Sequence, residues 1–232
     1  MFIFLDTETT GKDEDDRLCQ LAYKTEDGTV ANELFNPGKP ISIEAMSIHH
    51  ITNEMVEDKP LFQHSETKKS LLILLEEVNN VLVTHNAKFD VEMLNREGVH
   101  PDRVICTLKL ARYLDESGVI PKYNLQYLRY YLNLNVEAVA HDACGDVVVL
   151  EALFNRIHTK MIEKFGVYSI DRMIEISSKP SLIKRMPFGK HQGIKMEQVP
   201  MDYLQWLSKT DLDEDMEFTV NHFLNNINQD YV

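Results

Sequence analysis

Two carboxylates one residue apart, Asp6 and Glu8, follow directly on the apolar run Phe2-Ile3-Phe4-Leu5. A continuous apolar run of this kind reads as a central strand buried on both faces. Alternate residues of a strand share a face, so the side chains of Asp6 and Glu8 leave it on the same side. Two carboxylates at the end of a buried strand repel each other, and burying charge without a partner is costly. A hard divalent cation relieves both problems, and Mg²⁺ prefers oxygen ligands. The competing reading of the same stretch is a strand that ends in a polar turn, Asp-Thr-Glu-Thr-Thr-Gly.

Two further segments bear on that choice. Thr84-His85-Asn86-Ala87-Lys88-Phe89-Asp90 follows the β-rich run Val81-Leu82-Val83 and opens a helical pattern ending near Gly98. In that helix Asp90 shares a face with Ala87 and Leu94. His141-Asp142-Ala143-Cys144-Gly145-Asp146 leads into a long helix whose apolar stripe runs through Leu150, Leu153 and Ile157. Stepping back one helical turn from Leu150 lands on Asp146. A carboxylate that continues an apolar stripe is rare unless something pairs with it. Taken alone, Asp146 could be a buried cap or an arginine partner, and His141 a histidine on a surface loop.

Together these are four carboxylates and one histidine from three separated segments, each at the mouth of a strand or helix. Their order and spacing resemble the DEDD-type 3′–5′ exonucleases, in the subgroup whose third motif is a histidine followed five residues later by an aspartate. Asp-x-Glu, Asn-x-x-Phe-Asp and His-Asp-Ala-x-x-Asp match that family's three motifs with no position substituted. Pro40-Ile41-Ser42 through Ala45-Met46, Ile48-His49-His50-Ile51-Thr52 and Lys59-Pro60 resemble the loop between the first and second motifs. The resemblance covers about residues 1–160.

The resemblance implies a role for each residue. Asp6 would bridge two metal ions. Glu8 and Asp146 would complete the site of the ion that holds the attacking water, and Asp90 would support the second ion through water. His141 would be the general base. Thr9 with the backbone after it, His49, Asn86 and Phe89 would line the region that holds the terminal nucleotide. The implied cofactor is a pair of Mg²⁺ ions, with Mn²⁺ able to substitute. The chemistry suits this set. Hydrolysing a phosphodiester adds hydroxide to an anion and expels an alkoxide, and two divalent ions about 3.5–4 Å apart stabilise both oxygens. Four carboxylates balance the charge of two such ions. A histidine, with an ordinary pKa near 6.5, suits the base.

The elements that would position these residues follow from periodicity. Strands are expected at 2–6, 17–24, 29–35, 81–84 and 103–106, with Glu26-Asp27-Gly28 as a hairpin turn between the second and third. Helices are expected at 67–79, 87–97, 107–115, 124–132 and 143–160. This order suggests an α/β layer with a mixed five-stranded sheet, in which ligands bind at strand-to-helix mouths. It agrees with the ribonuclease-H-like fold that the resemblance implies. The loop at 117–124 would lie between two helices and could approach substrate. The expected division is a nuclease domain at 1–165 and, at 166–232, a connecting helix (169–177) with a small, mostly helical accessory module.

The chain has 232 residues, 44% hydrophobic and 26% charged, which is ordinary for a globular protein. No run approaches the roughly 18 apolar residues of a membrane span, and no basic leader precedes the first strand, so a cytoplasmic protein that does not engage membranes is expected. Cys19, Cys106 and Cys144 lack metal-binding spacing and read as reduced thiols. The net charge of −13 argues against a generic nucleic-acid binder. Positive charge is concentrated, however: Lys179, Lys184, Arg185, Lys190 and Lys195 fall in a stretch without Asp or Glu, and Arg103, Lys109, Arg112 and Lys122 form a smaller group. Lys184, Arg185 and Lys190 are candidate phosphate contacts; scattered solvated cations are the alternative. Phe188-Gly189-Lys190 with Gly193, and Tyr203-Leu204 with Trp206-Leu207, resemble the tail of exodeoxyribonuclease X-type family members. Trp206 is expected in the core of that module.

The expected activity is a metal-dependent 3′–5′ exonuclease that releases nucleoside 5′-monophosphates from a free DNA 3′ end, single- or double-stranded, in DNA repair. A proofreading subunit of a polymerase, a ribonuclease trimming RNA ends, and a non-catalytic nucleic-acid-binding module remain as alternatives.

Overall fold

The apolar run at the start of the chain becomes the centre of the molecule. The computed structural model describes residues 1–136 and 143–227. Its strands are β1 (Phe2–Thr9), β2 (Leu18–Thr25), β3 (Val30–Leu34), β4 (Val81–Thr84) and β5 (Val104–Cys106), in the sheet order β3-β2-β1-β4-β5. β1 pairs antiparallel with β2 and β2 with β3, whereas β1–β4 and β4–β5 are parallel. This is the expected mixed α/β sheet. Gly28 makes the first hairpin possible, with φ at 93°, a region open to glycine.

The helices are α1 (Ile43–His49), α2 (Asn53–Val56), α3 (Glu66–Glu76), α4 (Ala87–Arg96), α5 (Thr107–Leu114), α6 (Leu125–Tyr131), α7 (Ala143–Phe165), α8 (Ser169–Ser177), α9 (Met201–Leu207) and α10 (Glu214–Ile227). The alternation of β1 divides them between two apolar layers. Phe2 and Phe4 join Leu150, Leu153, Phe154 and Ile157 of α7. Phe154 packs with ring centroids 4.6 Å from Phe2 and 5.4 Å from Phe4. Ile3 and Leu5 join Leu71 of α3 with Met93 and Leu94 of α4 on the other side. Whatever continues the Phe2/Phe4 face beyond Leu5 therefore meets α7, and whatever continues the Ile3/Leu5 face meets α4.

Sequence periodicity did not anticipate α1, α2 and α10. The first two are short and rest on local hydrogen bonds; Ser42, for example, accepts from the Ala45 N–H as an N-cap. α10 carried a readable start. Asp213 accepts from the Met216 N–H at 2.7 Å, Glu214, Asp215 and Glu217 crowd the first turn, and Met216 and Val220 are buried one turn apart.

The C-terminal part has its own core of Ile183, Met186, Met196, Val199, Leu204, Leu207, Met216 and Val220. That core begins after α8, whose Met173 belongs to the layer around α7 and whose Ser177 hydroxyl accepts from the Cys106 N–H at 2.8 Å. Trp206 is not part of it. Leu204 and Leu207 take the inner face of α9, while Trp206 is 55% exposed and rests on Tyr203, with ring centroids 5.3 Å apart. The expectation of Trp206 in the core is thus corrected: the neighbouring Leu207 takes that place. Phe188 is also exposed. The part docks on polar groups instead: Arg112 to Asp215 at 2.5 Å and to Ser181 at 2.8 Å, Arg185 Nε to the Gly118 carbonyl at 2.8 Å, and Lys109 to the Lys179 carbonyl at 2.8 Å.

Phe154 is fully buried against both aromatic rings of β1. Phe154→Ala should cost about 3–5 kcal/mol of unfolding free energy by transfer loss and cavity formation. Denaturant titration checks this; a loss below about 1 kcal/mol would mean that α7 does not hold the sheet.

Candidate active site

Beyond Leu5 the two faces of β1 become polar. Asp6 and Glu8 continue the face toward α7, and Thr7 continues the face toward α4. The β1–β2 register slips between Glu8 and Thr9, a bulge at the end of the strand. The chain then turns through Gly11. Thr10 Oγ1 donates to Asp16 at 2.5 Å, the Asp13 N–H donates to the same carboxylate at 2.8 Å, and a Cβ at Gly11 would stand 2.4 Å from it. Only glycine leaves room for this turn.

Asp146, in the first turn of α7, comes down on Asp6 and Glu8. One carboxylate oxygen from each of the three lies within 4.8 Å of the others, with Asp146 buried and the other two half-buried. Hard divalent ions bind oxygen at about 2.0–2.6 Å, so one ion can touch all three oxygens. The donor set, all carboxylate, fits Mg²⁺ or Mn²⁺ rather than a softer metal. Gln126 of α6 donates from Nε2 to Asp146 Oδ1, and Arg129 donates to Gln126 Oε1 at 3.3 Å. Nothing in the sequence singled out Gln126, which lies on a separate helix.

Asp90 is not one of that group of three. It lies on α4, against the opposite face of the sheet, and accepts from Thr7 Oγ1 at 2.7 Å and Thr84 Oγ1 at 2.6 Å. Strand alternation sends Thr7 to Asp90 for the same reason that it sends Asp6 and Glu8 to Asp146. Asp90 is 2% exposed. Burial pushes its pKa up to about 6, against the two hydroxyl bonds that favour the ionised form.

The residues expected around the terminal nucleotide differ in freedom. His49 is buried; its Nδ1 accepts from the Ile51 N–H at 3.0 Å, so Nε2 carries the proton and donates to the Thr9 carbonyl at 3.1 Å. Burial lowers its pKa, which keeps the ring neutral. Thr9 is also buried and donates its hydroxyl to the Gly11 carbonyl at 2.6 Å. His49 and Thr9 thus fix the backbone after β1. Asn86 is exposed at the head of α4 with φ at 64°, a conformation that asparagine tolerates, and Phe89 is half-buried. His85 is held by Thr107 Oγ1 at 2.9 Å and the Tyr123 carbonyl at 2.7 Å, and burial lowers its pKa to about 4. His141 lies outside the described residues.

The exonuclease family matches residues 3–154. The chain belongs to the exonuclease family. It has the ribonuclease-H-like fold and is a 3′–5′ exonuclease. It is 31% identical over 239 residues to exodeoxyribonuclease 10 of Escherichia coli (strain K12), covering 97% of this chain and 100% of that protein. It is 35% identical over 164 residues to the DNA polymerase III subunit epsilon of Treponema pallidum (strain Nichols), covering 66% of this chain and 74% of the relative. Among solved structures, exonuclease X in complex with 5′ overhanging duplex DNA superposes with a TM-score of 0.61 at 29% identity, over 76% of this chain and 99% of that one. A shorter match, to a family named after a quorum-sensing-regulated virulence factor, covers residues 179–215.

Away from the carboxylates, the exonuclease uses several of its tail cations internally. Arg185 joins the Gly118 carbonyl to the Gly193 carbonyl, the latter at 2.9 Å, so it is a structural tie between the tail and the loop before α6. These two bonds use Nε and Nη1 and leave Nη2 of the half-buried guanidinium for other partners. That loop is itself knotted around Asp115, which accepts from Val119 N–H, Ile120 N–H and the Tyr123 hydroxyl. Lys179 pairs with Glu175 at 2.5 Å, and Lys190 sits 5.0 Å above the Tyr203 ring. Lys184 is half-buried and lies against Gly118. All three cysteines are free thiols; burial, aided by the charge of Glu8, pushes Cys19 up to about 12. Among the described residues no helix is long and apolar enough to cross a membrane.

The raised pKa of Asp90 has a signed consequence. Its folded value, about 6, exceeds its ordinary 3.8, so its stabilising contribution is full below about pH 4 and is lost as pH rises through 6. The shift corresponds to roughly 3 kcal/mol. In EDTA the wild type should therefore be less stable at pH 7.5 than at pH 5, and Asp90→Asn should remove most of that difference. Equal pH dependence in the two proteins, by denaturant titration, would refute the assignment.

Proposed function

We propose that this enzyme is a DNA exonuclease of repair, using Mg²⁺ to remove nucleoside 5′-monophosphates one at a time from a free 3′ end. The observation that carries this reading is the convergence of Asp6, Glu8 and Asp146 from two elements onto one point. The full-length similarity to exodeoxyribonuclease 10 supports DNA as substrate, and the DNA-bound relative supports a duplex with a single-stranded end among its forms. Asp6, Glu8 and Asp146 would hold one ion and orient its oxygen ligands. Asp90, behind Thr7 and Thr84, would serve the second ion indirectly. His141 would take the proton from the attacking water, and Asn86 and Phe89 would bound the terminal nucleotide. Two such ions would supply Lewis-acid stabilisation of the entering and leaving oxygens.

The similarity to polymerase epsilon subunits favours a second reading, proofreading beside a polymerase. That match covers 66% of this chain, whereas the match to exodeoxyribonuclease 10 covers 97% of it and so takes in most of the tail. We propose that the accessory module begins after the connecting helix α8, near Pro180, because Met173 of α8 packs in the layer around α7. Lys184 and Lys190 are its proposed phosphate contacts.

Labelled single- and double-stranded DNA and RNA, digested with Mg²⁺ and with EDTA, test the reading. Mononucleotide release from DNA 3′ ends that stops in EDTA is expected; preference for RNA, or cleavage in EDTA, would overturn it. Asp6→Ala should lower kcat at least about a thousandfold, because charge and geometry go together; retention of a few per cent would remove Asp6 from the site. His141→Ala should lose the acidic limb of the pH–rate profile while still binding DNA. Charge reversal at Lys184 and Lys190, leaving Arg185 intact, should flatten the salt slope of binding by about two units on a log–log plot. An unchanged slope would return the tail to a purely docking role.

A further inference from the structure

Helix α6 has one side turned inward and another turned toward the carboxylates. Leu128 is fully buried in the layer around α7 and anchors the helix, with Leu125 and Leu132 packed beside it. At 3.6 residues per turn, Gln126, Arg129 and Tyr130 share a different side. The Gln126 hydrogen bond to Asp146 shows where that side faces. The next turn carries two groups suited to a nucleobase. The Arg129 guanidinium is fixed by the Gln126 side chain at 3.3 Å and the Val136 carbonyl at 2.7 Å, and its central carbon lies 5.3 Å from the Tyr130 ring centroid. Tyr130 is nevertheless 71% exposed. On the adjoining side Tyr127 and Tyr131 stack on each other, 5.8 Å apart at 21°.

An exposed tyrosine alone means little. This one sits one turn from the residue that holds a proposed metal ligand, and a fixed cation lies against its ring. A chain of net charge −13 cannot draw a polyanion to its acidic cluster by bulk charge. Stacking on an aromatic ring needs no net positive surface, and every base offers a π-face. We propose that Arg129 and Tyr130 form a base-stacking subsite that engages a nucleobase of the substrate strand next to the scissile phosphate. The inference rests on the nuclease reading for its ligand, but base-dependent binding tests it separately from cleavage.

The test uses a single-stranded oligothymidylate and the same strand with tetrahydrofuran abasic residues at the second and third positions from the 3′ end. Dissociation constants are measured by fluorescence anisotropy with Ca²⁺ in place of Mg²⁺, for the wild type, Tyr130→Ala and Tyr130→Phe. The wild type should bind the complete strand on the order of tenfold tighter than the abasic one, the size of one lost stack. Tyr130→Ala should bring that preference close to one, and Tyr130→Phe should restore it, since the ring and not the hydroxyl does the stacking. The same base preference in wild type and Tyr130→Ala would overturn the subsite, as would a wild type that does not distinguish the two strands. A wild type that shows the preference but never cleaves in Mg²⁺ would instead overturn the nuclease reading and leave the subsite standing.

Discussion

Repulsion among Asp6, Glu8 and Asp146 is the constraint around which the rest is arranged. Three carboxylates held within 4.8 Å of one another are unstable company without a cation. They stay there because each is carried by an element that cannot easily yield. β1 lies between two apolar layers, fixed by Phe154 on one side and by Leu71, Met93 and Leu94 on the other. α7 continues its buried stripe to within one turn of Asp146. Binding energy from the packed core is thereby stored as a preformed ion site.

The same alternation decides where Asp90 stands. Odd and even residues of β1 serve opposite faces, so Thr7 points away from Asp6 and Glu8 and meets Asp90 over α4. One carboxylate is therefore buried with neutral hydroxyl partners while three others share a half-open cluster. Such different surroundings push carboxylate behaviour apart, as hydrolytic sites commonly require.

Local patterns made much of this legible in advance. The buried run Phe2–Leu5 and the apolar stripe of α7 follow from their periodicity and the hairpin at Gly28 from its turn residues, whereas the sheet order β3-β2-β1-β4-β5 had to come from the structure. Asp6, Glu8 and Asp146 were readable because each breaks an apolar pattern where charge is costly. Gln126 was not, because its role depends on where α6 lies relative to α7. Trp206 misled because an aromatic at helical spacing resembles a core residue, yet Leu204 and Leu207 filled the inner face first. The tie of Arg185 to the Gly118 carbonyl was not readable, because a backbone acceptor leaves no mark in a sequence. Concentrated cations in a linear stretch can be consumed by tertiary hydrogen bonds.

The seam between the two parts of the chain has a consequence for descent. Arg112 reaches Asp215 and Ser181, and Arg185 reaches the Gly118 carbonyl, where a Cβ on Gly118 would come within 2.7 Å of Lys184. Each of these partnerships joins residues about 70 to 100 positions apart, with one member in the nuclease part and one in the tail. Neither part can drift alone: a lineage that loses Asp215 leaves an arginine in a mostly buried setting without its charged partner. Exchange of the tail between relatives should succeed only where both sides of the seam travel together.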